Sequence, residues 1–120
     1  FDTAGRRLRL HEDADNDGVV DGNEVLDFVE LEGAATYGRG SAPALAFGGG
    51  PVNLLKSQDG MPAITFHRSG SASENGGLYI TSRRDAAVGI NPDDARAFEI
   101  NRATGRVFMF QHSGSWRSIF

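Results

Sequence analysis

From residue 51 onward the apolar positions of this chain recur with a period of two. Ile64 and Phe66 alternate with Thr65 and His67, Leu78 and Ile80 with Tyr79 and Thr81, and Phe98 and Ile100 with Glu99 and Asn101. Successive side chains of a strand point to opposite faces, so this pattern predicts short, half-buried strands. Gly, Ser and Asn clusters between them supply the turns. The N-R-A-T-G segment at 101–105 predicts a hairpin loop with Gly105 in the left-handed conformation. Val107, Phe108, Met109 and Phe110 are apolar at consecutive positions, which predicts a strand covered on both faces. Trp116, Ile119 and Phe120 predict a final strand.

The first third has a different rhythm. Val25, Leu26, Phe28, Val29 and Leu31 form an apolar stripe at helical spacing, ended by Gly33. That predicts an exit helix, preceded by a short helical entry near the N-terminus. Residues 33–50 are rich in Gly, Ala and Ser, and Gly48-Gly49-Gly50-Pro51 bars a regular element there. The chain therefore divides into a helical loop segment (1–33), an extended connector (34–51) and a β-rich domain (52–120).

The strongest chemical signal lies between entry and exit, where residues 13–24 read D-A-D-N-D-G-V-V-D-G-N-E. Acidic side chains at loop positions 1, 3, 5, 9 and 12, with glycine at position 6, match the spacing of the twelve-residue EF-hand loop. Calcium takes six to eight oxygen ligands, so a short segment must turn sharply and aim several carboxylates inward. Gly18 permits the turn. Asp13, Asp15 and Asp17 are the first side-chain ligands, and Val19 offers its backbone carbonyl. Asp21 acts directly or through water, and Glu24 closes the site bidentately. The segment resembles bacterial calcium repeats of the thrombospondin type 3 and dockerin kinds. Solvated acidic faces are the commoner origin of such charge. Like charges at alternate positions nevertheless repel in a compact turn without a cation. Loops of this kind usually pair, and no second one occurs here, so support must come from elsewhere, another subunit included.

With 120 residues the chain is one small domain or a piece of a longer protein, and its first residue, Phe1, suggests processing or excision. The absence of cysteine excludes a disulfide scaffold, a thiolate zinc site and thiol catalysis. Small disulfide-free extracellular domains draw stability from metal or from oligomerisation. No apolar stretch is long enough to cross a bilayer, and no signal peptide is visible. Residues 1–32 hold ten Asp/Glu against three Arg, whereas residues 33–120 hold nine Lys/Arg against six Asp/Glu. The basic remainder has no Lys/Arg run, which argues against nucleic acid as a partner.

A family resemblance lies further along. The segment 63–70, A-I-T-F-H-R-S-G, followed by N-G-G-L-Y-I at 75–80, resembles the x-I-x-F-H-x-x-G…G-L pattern near the receptor-binding ends of bacteriophage tail fibres. A-F-E-I-N-R-A-T-G-R-V at 97–107 is similar to an L-x-I-N-x-x-T-G-x-V hairpin of fibre and spike proteins. V-D-G-N-E-V-L-D-F-V at 20–29 is similar to a fibre-shaft element. The resemblance implies a mainly β, intertwined homotrimeric fibre segment, located on the virion or otherwise extracellular, that binds a host-surface glycan or other receptor. The full calcium loop departs from that pattern, which does not require Asp13, Asp15 or Glu24.

No catalytic constellation can be assembled, so the chain is expected not to be an enzyme. His67, Arg68, Tyr79, Arg83, Arg84 and Trp116 are the residues available for glycan contact, since sugars need an aromatic face and planar polar groups. A core or interface anchor is the competing role for Trp116, and a charged turn for Arg83-Arg84-Asp85. Competing functions are a calcium-stabilised adhesion or filament module of a bacterial surface protein and a non-catalytic carbohydrate-binding appendage. The double-sided strand at 107–110 in so small a chain predicts burial between identical subunits.

Overall fold

Strand pairing organises both ends of the chain in its computed structural model, which describes residues 1–119. Near the N-terminus, β1 (Arg7–His11) and β2 (Leu26–Glu30) form an antiparallel ribbon in which Leu8 faces Val29 and Arg9 faces Phe28. The ribbon is prolonged by Glu12 N–H donating to the Val25 carbonyl and Leu31 N–H to that of Arg6, both at 2.9 Å. This corrects the helical entry and exit expected around the acidic loop. The stripe at 25–31 also satisfies a period of two, through Leu26 and Phe28 on one face and Val29 and Leu31 on the other. Val29 and Phe28 favour extended backbone, and β1 supplies the partner that makes pairing win.

The main sheet begins with β3 (Ala35–Tyr37), inside the segment expected to be an extended connector. Next come β4 (Val52–Asn53) and a small hairpin of β5 (Ser57–Gln58) and β6 (Met61–Pro62). Then follow β7 (Gly76–Ser82), helix α1 (Arg83–Val88), β8 (Arg96–Ile100), β9 (Val107–His112) and β10 (Trp116–Ser118). The six-stranded antiparallel sheet runs β10-β9-β8-β7-β3, with β4 pairing to β7 beside β3. The mainly β, antiparallel class expected from the period-two pattern is thus present. Ile64 and Phe66 depart from it, because Phe66 makes only an isolated bridge to Ala72. Phe120 of the expected last strand lies outside the described residues.

Two-sided burial belongs to β7, not to the 107–110 run. Leu78 on one face is 6 % exposed, and Tyr79 and Thr81 on the other are 0 % and 2 % exposed. Residues 38–50 fold over the Tyr79 face. The Phe47 ring stacks 4.9 Å from Tyr79, whose hydroxyl donates to the Gly48 carbonyl at 2.6 Å and accepts from Leu45 N–H at 2.8 Å. Gly77 is required below: a Cβ there would lie 2.6 Å from Phe47 Cε1 and from the Phe98 carbonyl oxygen. On β9, by contrast, Phe108, Met109 and Phe110 are half-buried and Val107 is 43 % exposed.

Helix α1 is closed at both ends by its own residues. Ser82 caps the first turn by accepting from Asp85 N–H, and Gly89, at φ 68°, donates back to the Asp85 carbonyl. The fully buried Asp85 carboxylate accepts from Ser41 N–H at 3.0 Å, the Ser41 hydroxyl at 2.9 Å and Asn91 N–H at 2.7 Å, tying the covering segment to the helix.

Candidate metal centre

The acidic loop leaves β1 at His11 and re-enters β2 at Leu26, so the ribbon holds its two ends side by side. Within it Asn16 (φ 59°) and Gly18 (φ 75°) take the left-handed conformation, which curls the chain around its own carboxylates. Asp13 accepts from Asp17 N–H at 3.2 Å and Gly18 N–H at 2.7 Å, and Asp17 from Val19 N–H at 2.8 Å. Glu24 reaches back across the loop, accepting from Ala14 N–H at 2.7 Å and Asp21 N–H at 2.9 Å.

The outcome is convergence. One carboxylate oxygen from each of Asp13, Asp15, Asp17 and Glu24 lies within 4.8 Å of all the others. Asp21 lies outside that group of four, yet its carboxyl meets that of Asp15. Contact with Asp21, then burial, then contacts with Asp13 and Asp17 push the Asp15 carboxyl up to about 7. Glu24 moves the other way, down to about 2, because the Asp21 N–H and then His11 stabilise its ionised form. Hard oxygen donors gathered this closely could hold a metal ion, which would replace the proton that the cluster otherwise retains. Val19 is exposed and Val20 half-buried.

Two groups outside the motif complete the arrangement. His11 Nε2 stands 2.8 Å from Glu24 Oε1, and Gln58 Nε2 lies 3.1 Å from His11 Nδ1 while donating to the Gly18 carbonyl at 3.0 Å. An amide nitrogen only donates, so Nδ1 accepts and Nε2 carries the proton directed at Glu24. Arg9 fixes Gln58 from the other side, donating to its Oε1 at 2.7 Å, and pairs with Asp59 at 2.8 Å. The support a lone loop needs thus comes from the β5–β6 hairpin of the same chain. Sequence reasoning missed both: nothing local connects Gln58 to residue 18, and His11 falls in the segment expected to be a helical entry.

The glycan-contact candidates scatter. Tyr79 is enclosed between Phe47 and Trp116 and offers no ring face to solvent. Trp116 is half-buried, donates to the Pro43 carbonyl at 2.8 Å and meets His112 edge-on. Arg83 and Arg84 lie exposed on α1, Arg83 reaching the Gly33 carbonyl at 3.4 Å. His67 and Arg68 are exposed on the 66–72 turn. Elsewhere His112 Nδ1 stands 2.7 Å from Asp93 Oδ1, an imidazole–carboxylate pair beside the edge hairpin. No protein-family model, curated protein or solved structure matches this chain.

Proposed function

We propose that this chain is a calcium-stabilised structural and receptor-binding segment of a phage-type fibre, assembling outside the cell as a homotrimer. The observation that carries the calcium part is the convergence of Asp13, Asp15, Asp17 and Glu24 on one point, braced by His11 and Gln58. Calcium there neutralises a segment with ten acidic residues against three basic ones and locks the ribbon to the β5–β6 hairpin. Asp13, Asp15, Asp17, Asp21 and Glu24 supply carboxylates, and Val19 its carbonyl.

The trimer part is supported by apolar surface that a single chain leaves open. Val107, Met109 and Ile119 share one face of the edge hairpin, with Val107 43 % and Ile119 40 % exposed. On the ribbon Leu10 and Val29 are each 50 % exposed. Strands with this much uncovered apolar surface favour association. The test joins both parts: calcium titration calorimetry, with sedimentation equilibrium in calcium and in chelator. Absence of calcium heat together with a stable monomer in both buffers would overturn the proposal.

A further inference from the structure

A cleft of about 460 Å³ opens where the 67–75 segment meets the 101–103 turn, lined chiefly by His67, Ser71, Ser73, Asn75, Asn101 and Arg102. Its size falls within the usual range for ligand sites, and six of its eight lining residues carry a polar side chain. Two close approaches hold them in place. Ala72 N–H donates to the Arg102 carbonyl at 2.8 Å, and Gly105 packs so tightly that a Cβ would lie 2.2 Å from the Gly70 carbonyl oxygen.

The hydrogen bonds within the walls decide what the cleft presents. Asn75 Oδ1 accepts from Arg102 N–H at 2.8 Å, and Asn101 Oδ1 accepts from Thr104 N–H and its hydroxyl, both at 3.1 Å. A backbone N–H requires an acceptor, so each amide oxygen is committed and each –NH₂ is left over. Among the described residues no protein group engages those two –NH₂ groups, the His67 imidazole or the Arg102 guanidinium. No described residue lines the cleft with a carboxylate, and the neighbouring Glu74 is turned away to Leu55 N–H at 2.6 Å. The surrounding residues 33–120 carry nine Lys/Arg against six Asp/Glu.

An unpaired guanidinium fork suits a carboxylate. The fixed Asn75 and Asn101 amides around it suit hydroxyl and ring oxygens, and the apolar side chains in the lining are the two small ones of Ala72 and Ala103. We propose that this cleft binds a carboxylate-bearing saccharide, Arg102 taking the carboxylate and Asn75, Asn101 and His67 the hydroxyls. The assignment rests on the receptor-binding part of the proposed function and gives it a ligand class and a place.

Asn75→Asp and Asn101→Asp test it with little disturbance, because an aspartate still accepts the same backbone N–H bonds while the –NH₂ becomes a repelling oxygen. Arg102→Ala is an independent third variant at an exposed position. The 120-residue chain is titrated with a galacturonate oligomer, its neutral methyl ester and an oligoglutamate peptide, with melting temperature recorded for each variant. The expected result is binding of the galacturonate alone, weakened at least about tenfold in each variant at unchanged melting temperature. Failure to bind it, equal binding of the ester, or equal binding of the peptide overturns the proposal. Galacturonate binding that survives all three substitutions overturns this cleft while leaving a receptor-binding segment in place. Calcium-dependent melting in the same samples reports on the metal loop separately.

Discussion

His11 Nε2 donates to Glu24 Oε1 across 2.8 Å, joining the last residue of β1 to the carboxylate that closes the acidic loop. Both side chains are almost wholly withdrawn from solvent, at 8 % and 3 % exposure. The bond turns Glu24 inward and leaves the loop dependent on the hairpin that holds the imidazole.

Calcium should therefore raise the melting temperature and give a measurable binding heat. At a free concentration of about a hundred times Kd, mass action adds about 2.7 kcal/mol. For a domain of this size that is a rise of roughly 10 °C. Glu24→Gln should weaken binding most among single substitutions, because it removes the bidentate carboxylate. Magnesium should compete poorly, since it resists high oxygen coordination. An unchanged melting curve in chelator would count decisively against the site.

The His11 contact makes a separable forecast. His11→Ala should weaken calcium binding, while His11→Gln, whose amide nitrogen can reach the same carboxylate, should recover most of it. Gln58→Ala should behave like His11→Ala although it touches no carboxylate of the loop. Calorimetry on the three variants decides this, and equal affinities throughout would show that the hairpin plays no part.

Acid and base should both destabilise the metal-free protein, each through a different carboxylate. Asp15 is raised to about 7, so the folded state holds a proton that the unfolded chain has released, and stability falls as pH rises from about 4 to 7. Glu24 is lowered to about 2, so its contribution is complete above about 4.5 and disappears as pH falls toward 2. Metal-free protein should accordingly melt highest at mildly acid pH. Asp15→Asn should flatten the neutral limb, and calcium should abolish it. A pH-independent melting temperature between 5 and 7.5 in chelator would contradict this.

In the core, Tyr79→Phe removes a hydroxyl that both donates to Gly48 and accepts from Leu45. Leaving those backbone groups without partners should cost about 1–3 kcal/mol in denaturant unfolding, with the stacked ring retained. A neutral substitution would mean that water replaces the hydroxyl there.

Assembly is read most cleanly at Val107. It is 43 % exposed in the single chain, so Val107→Asp should leave the fold intact. In a trimer that covers this face, the same change should give monomers by sedimentation equilibrium. Glu99, which faces the other side of the sheet, should tolerate alanine without effect on assembly.

What the sequence determined by itself was local chemistry. The spacing of Asp13, Asp15, Asp17 and Glu24 around Gly18 specifies converging carboxylates because one loop contains every participant. The turn at 101–105, with Gly105 at φ 64°, and the β class after residue 51 were legible for the same reason. What only tertiary structure decided was anything needing a distant partner. Residues 25–31 satisfy a helical and an extended pattern at once, and β1 breaks the tie by pairing. The two-sided strand proved to be β7 instead of the apolar run at 107–110, because residues 38–50 fold onto Tyr79 and, among the described residues, no such segment folds onto Val107, which stays 43 % exposed. Gln58 reaches His11 and Gly18 from 47 and 40 residues away, a contact that no short-range spacing encodes.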